Sequence, residues 1–222
     1  MEMKRPLVYE VPHKAIRNAL SQFSLLAGNT DYNDKSEMEK LKNVADDIFK
    51  LLDSHAKHEN NVPLKYLEQK LSGSSVHDKE DHARIESEVY KLEESLKDLY
   101  ERSGQGEDLR YPANDFYVQL SDFHAKYLLH MLEEERETQP LLWKNFTDEE
   151  LFQQETEIRS NIPPEEMLMM AKYMFPAFSN SARVEMLRSI AAAAPPQFYE
   201  AVMKVAESVL SADVFKKLKT QL

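Results

Sequence analysis

Four stretches of this chain carry apolar residues at helical spacing, and each of these seams meets a histidine. In the first, His13 leads Ile16, Leu20 and Phe23. In the second, Leu41, Val44, Ile48 and Leu51 lead to His55, then to Glu59 and Val62. In the third, His82 leads Ile85, Val89, Leu92 and Leu96. In the fourth, Phe116, Leu120, Phe123 and Tyr127 lead to His130 and Glu134. Recurrence at three and four residues marks one face of a helix, and an apolar face is the one a helix buries. The pattern restricts the chain to a helical fold whose interior receives four imidazoles and two carboxylates.

Glycine and proline divide the chain in agreement with this. Only four glycines occur, all near expected element ends. The spacing predicts helices over His13–Leu26, Ser36–Leu71, Val76 to the "SGQGED" turn, and Ala113–Trp143, with a kink or break at Pro63. Four such helices joined by moderate connections suggest an all-α, antiparallel up-down four-helix bundle. "FTDEELF" then opens a new helix, with Thr147 and Glu150 placed as a capping box. Four short helical segments are expected from there to Leu222, punctuated by "IPPEE", "FPAFSNSA", "AAAAPPQF" and "LSADVF". Pro163–Pro164 and Pro195–Pro196 suit helix starts. The expected organisation is a bundle with a dimetal site over residues 1–146 and a helical C-terminal extension over 147–222. The methionine-rich "IPPEEMLMMAKYMF" reads as pliable core packing, with a partner-binding surface as the alternative.

Charge and cysteine content remove several function classes. A formal net charge of −11 argues against nucleic acid or an anionic membrane surface as partner. With no cysteine there can be no disulfide, thiolate zinc site or thiol redox chemistry. "MEMKRPLVYEVPHK" has no apolar signal core, and no apolar run approaches membrane-spanning length. A cytoplasmic protein is expected.

Of the seven histidines, His58, His77 and His124 lie off the seams. The other four, one per helix, come with Glu59 and Glu134, each four residues after a seam histidine and therefore on the same face. Two carboxylates buried without compensation would cost several kcal/mol each, on the order of the desolvation penalty of a buried ion. A pair of divalent cations would relieve that cost, and imidazole with carboxylate suits iron, manganese or zinc. His13 and His55 would serve one metal, His82 and His130 the other, with Glu59 and Glu134 bridging. Open positions would remain for a small ligand. Glu133 and Glu135 fall off the seam, as flank or solvent-facing residues; Glu137 falls on it near the helix end. Tyr127, three residues before His130, is a candidate supporting group.

The strings "HKAIRNAL", "HAKHENNVPLKYLEQ", "EDHARIESEVYKLEESL" and "HMLEEERETQPLLW" resemble the hemerythrin-like, or HHE cation-binding, family over about residues 8–145. The last string is most similar to hemerythrin-like domains of iron-sensing F-box proteins. The tail resembles helical extensions of bacterial hemerythrin-domain proteins. The resemblance implies a non-haem di-iron site of two iron ions, oxo- or hydroxo-bridged, held by His13, His55, Glu59, His82, His130 and Glu134. The oxygen carriers of the family have His-x-x-x-His on the third helix and an aspartate after the fourth-helix histidine. Here His77 and His82 are five apart, pointing about 140° away from each other, and a glutamate replaces the aspartate. One third-helix histidine is therefore expected: His82, which continues into a seam, with His77, which follows Val76, as the alternative. The leading expectation is a protein that binds or senses oxygen, nitric oxide or iron. The alternatives are an enzyme that turns over peroxide or nitric oxide or oxidises iron, and a metal-free helical interaction protein. Expected partners are a small diatomic ligand or peroxide, and a protein bound through the C-terminal extension.

Overall fold

The computed structural model describes residues 5–222; the first four residues of "MEMKRPLVYEVPHK" lie outside them. The described residues form helices and connecting turns, with no strand among them. The bundle consists of α1 (Glu10–Asn29), α2 (Lys35–Asn61), α4 (Val76–Arg102) and α5 (Arg110–Glu133), with the short α3 (Pro63–Lys70) between α2 and α4. Each long helix packs on the next in the order α1, α2, α4, α5, and α5 closes back on α1.

Local chemistry sets the boundaries. Asp34 caps α2 by accepting from the Ser36 and Glu37 amides. The break expected at Pro63 occurs: Val62 leaves helical geometry at φ −122°, ψ −85°, and Pro63 restarts the chain as the first residue of α3. Between α4 and α5, Gly104 and Gly106 take φ of +77° and +82°, a region that favours glycine.

The fourth helix differs from the continuous Ala113–Trp143 helix expected from the sequence. After α5 comes a π-helical turn, Glu134–Thr138, and then α6 (Gln139–Asn145). The Gln139 amide donates to the Glu134 carbonyl, five residues back. Pro140 has no amide proton for the carbonyl four residues before it, so the ladder loses a bond here and the turn widens. The extra residue moves the inward face on by one position. Thr138, Gln139 and Leu142 are buried where an uninterrupted helix would bury Glu137 and Leu141; Glu137 is exposed.

After Phe146 come α7 (Asp148–Asn161), α8 (Pro164–Ala177), α9 (Asn180–Ala193), α10 (Pro196–Val209) and α11 (Ala212–Lys219). These are five helices rather than four, because each of the four proline or polar breaks separates two of them. The Thr147–Glu150 capping box forms, with both reciprocal hydrogen bonds present. α8 packs on α1 and on α10. Its Met169, Met170 and Met174 lie half-buried against the bundle core, and Tyr173 is buried within it, in keeping with the core-packing reading of the methionines. Phe175 and Ala171 join a separate cluster with Leu187, Val202, Ala206 and Leu218. The Asn18 side chain donates to the Tyr173 carbonyl at 2.9 Å, and Lys172 pairs with Asp47 at 2.8 Å, tying α8 to α1 and α2. No described helix is long and apolar enough to cross a membrane.

Candidate metal centre

The six residues expected at the centre are all buried, at 5% exposure or less. The structure brings them together. His13, His55, Glu59 and Glu134 each offer a ligand atom within 4.8 Å of the others, and so do His82, His130 and Glu134. Glu134 is common to both groups. Glu59 spans them as well: Oε1 is 3.2 Å from His55 Nε2 and Oε2 is 3.2 Å from His82 Nε2. His13 Nε2 lies 3.2 Å from Glu134 Oε2, and His130 Nε2 lies 3.4 Å from Glu134 Oε1.

These distances suit ion pairing, but none of the contacts is a hydrogen bond. Among the described residues, Nε2 of all four histidines and all four oxygens of Glu59 and Glu134 are buried without a hydrogen-bond partner. Buried polar groups are ordinarily satisfied, since an unpaired one keeps its desolvation penalty. Eight orphaned ligand-type atoms facing one interior are the pattern expected of a site completed by cations. The residues fit a pair of first-row metal ions in donor chemistry and in number.

The far sides of the imidazoles fix which nitrogen faces inward. His13 Nδ1 donates to Glu135 Oε1 at 2.9 Å. Glu135 itself accepts from both terminal nitrogens of the Arg17 guanidinium, Nη1 and Nη2, at 2.7 and 2.9 Å. His82 Nδ1 donates to Asn60 Oδ1 at 3.0 Å, and His130 Nδ1 faces Asp81 Oδ2 at 3.6 Å. A proton on Nδ1 leaves the Nε2 lone pair free for a metal. Tyr127 is buried and sets its ring edge-on to His130, at a centroid distance of 5.7 Å. Tyr9 stacks on His13 from the other side, at 5.0 Å.

The electrostatics of the metal-free centre follow from the same packing. Burial pushes the His13 imidazole down, but Glu134, Glu135 and Glu59 outweigh it and hold the group up at about 10. His82 is held at about 10 in the same way, burial being outweighed by Glu134 and Glu59. Burial raises the Glu59 carboxyl, and the His13 and His82 imidazoles overcome this and bring it to about 2. Burial and the neighbouring His13 charge hold His55 well below its usual range. Without metal, two protonated imidazoles thus balance the two carboxylates. Metal would have to displace those protons, because ligating imidazole is neutral.

The off-seam histidines lie elsewhere. His77 is on the outside, 60% exposed, and pairs with Glu133 at 2.8 Å. His124 pairs with Ser24 at 2.9 Å. His58 pairs with Ser54, in a surface cleft that Glu166 of α8 also lines. The sequence reading missed Asn60, Asp81 and the role of Glu135. Asn60 and Asp81 immediately neighbour Glu59 and His82, and Glu135 follows Glu134; adjacency to a seam histidine or glutamate is the signal the sequence offers.

No curated protein and no solved structure gives a significant match to the chain. A family model, that of the hemerythrin HHE cation binding domain, matches residues 8–142. That span holds all six inward-facing residues and every side chain found behind them, and it covers more than half of the chain. The buried histidine and glutamate groups fit a metal-binding protein, and the chain belongs to the hemerythrin HHE cation-binding family.

Proposed function

We propose that this protein is a cytoplasmic non-haem di-iron protein that binds or senses oxygen, nitric oxide or iron. In this reading His13 and His55 would hold one iron and His82 and His130 the other, with Glu59 and Glu134, which lie between the two groups, contributing to both. The observation that carries it is the set of eight buried ligand atoms without hydrogen-bond partners. Bound at such a site, iron supplies one-electron redox chemistry and coordination positions for a small ligand. The chain's own contribution is orientation and exclusion of water. Glu135 and Arg17 hold His13, Asn60 holds His82, Asp81 faces the outer nitrogen of His130, and the surrounding seams keep the interior dry.

The response would travel through packing. α8 lies against α1, the helix that carries His13. Cation binding to the folded state stabilises that state by mass action, so losing the cation loosens the support beneath α8. A protein partner would then read the C-terminal helices. Anaerobic loading with ferrous iron, followed by oxygen or nitric oxide and visible absorption, tests the ligand chemistry. A stoichiometric, reversible spectral change supports binding. Steady-state consumption of peroxide or nitric oxide would replace this reading with that of an enzyme. Limited proteolysis tests the readout: cleavage in α8–α11 should be faster without iron, and equal rates would contradict it.

A further inference from the structure

Tyr9 holds a buried hydroxyl. The residue is 1% exposed, and among the described residues its Oη has no hydrogen-bond partner. It precedes His13 by four residues, and the two rings stack with an interplanar angle of 30°. The segment that carries it is fixed in place. Arg5 donates to the Trp143 and Phe146 carbonyls at 2.6 and 2.8 Å and pairs with Asp148. The Trp143 indole donates to the Pro6 carbonyl, and the Val8 amide donates to Gln139 Oε1, each at 2.8 Å. Gln139 Nε2 is a second buried donor left without an acceptor.

A phenylalanine would fill the same space without the cost of an unpaired hydroxyl. The carboxylates of Glu59 and Glu134 are not the missing acceptor, since their oxygens are themselves without hydrogen-bond partners. No described residue supplies the acceptor, which leaves the hydroxyl open to one brought by a ligand. We propose that Tyr9 donates a hydrogen bond to a small anionic or oxygen-atom ligand taken up at the metal centre, and so helps to select and hold that ligand. This rests on the metal-centre reading above.

The test uses the full chain loaded with ferric iron, with iron content measured and azide as the probe, for wild type and Tyr9→Phe. Iron content should be equal in the two. The azide Kd should rise about tenfold, as expected for loss of one hydrogen bond to a charged acceptor. The shift of the azide stretching band between H2O and D2O should be present in wild type and absent from the variant. Metal-free Tyr9→Phe should melt at the same temperature as metal-free wild type or higher. Unchanged azide affinity and an unchanged isotope shift would overturn the proposal. Loss of iron from the variant would overturn it in favour of Tyr9 as a metal ligand. A lower metal-free melting temperature would overturn it by showing that the hydroxyl is bonded within the protein. A wild-type protein that takes up no iron would defeat the metal-centre reading, and this inference with it.

Discussion

In one part of the bundle Phe23 meets Phe49 and Phe116 edge-on, at centroid distances of 5.7 and 6.3 Å. In another, His13 meets His55 and His82 meets His130 in the same edge-on geometry, at 5.1 and 5.0 Å. α1, α2 and α5 supply rings to both sets, and α4 adds His82 to the second, so the packing problem is similar. The rings differ in what they still need. A buried phenyl ring is satisfied by contact alone. A buried imidazole brings a nitrogen that needs a partner, and here Nε2 has none in any of the four. The phenylalanine region therefore stabilises itself, whereas the histidine region is completed by something the chain does not contain.

Substitutions in the two regions should differ in how they respond to iron. The largest effect is expected from Phe116→Ala, which removes a fully buried ring and should cost about 3–5 kcal/mol. Denaturant unfolding should give the same loss with and without iron; a loss that depends on iron would erase the distinction. Glu134→Leu should instead depend on iron. In the metal-free protein it removes one of the two carboxylates that face the protonated His13 and His82 and should cost about 3–5 kcal/mol; it should also abolish any increase in melting temperature on adding iron, so the loss is larger with iron than without. A loss that is equal with and without iron would show that Glu134 takes no part in holding the metal.

A smaller effect is expected behind the inward-facing imidazoles. Glu135→Gln weakens the hold on the His13 Nδ1 proton and on Arg17. Iron affinity, measured by competition with a chelator, should fall about 10- to 100-fold, with stability of the metal-free chain little changed.

The gentlest probe is pH. His13 and His82 are held at about 10 in the metal-free fold, above an unfolded value of about 6.5. Their contribution to stability is therefore fully present below pH 6.5 and is lost as pH rises toward 10. Denaturation midpoints of the metal-free protein should decline across that window. Iron binding should strengthen over the same range, because metal and protons compete for the imidazoles. A metal-free stability that rises across the window would contradict the charge balance described for the centre.

What the sequence made legible was whatever a helical period alone can place. His13, His55, Glu59, His82 and His130 lie on seams of unbroken α-helix, and Glu134 stands at the first position of the π-helical turn, before its widening shifts the register, so counting by three and four brings all six to one interior. The interruption after Glu134 was invisible to the same counting. Pro140 widens one turn and advances the inward face, which is why Glu137 is exposed and Thr138 and Gln139 are buried. Asn60, Asp81 and Glu135 stand beside the seams, and their roles depend on which neighbouring imidazole each one meets. Tyr9 was missed because the first helix was expected to begin at His13. In the structure α1 begins at Glu10, with Tyr9 as its cap, so the interior face extends one turn further back.

Iron per chain, measured by elemental analysis after anaerobic loading and removal of excess metal, tests the central claim most directly. The account predicts two iron ions in the wild-type chain and their loss from a folded Glu59→Gln/Glu134→Gln variant, in which both buried carboxylates are replaced by neutral amides. A wild-type chain that retains no iron, or a double variant that still retains two, would contradict it.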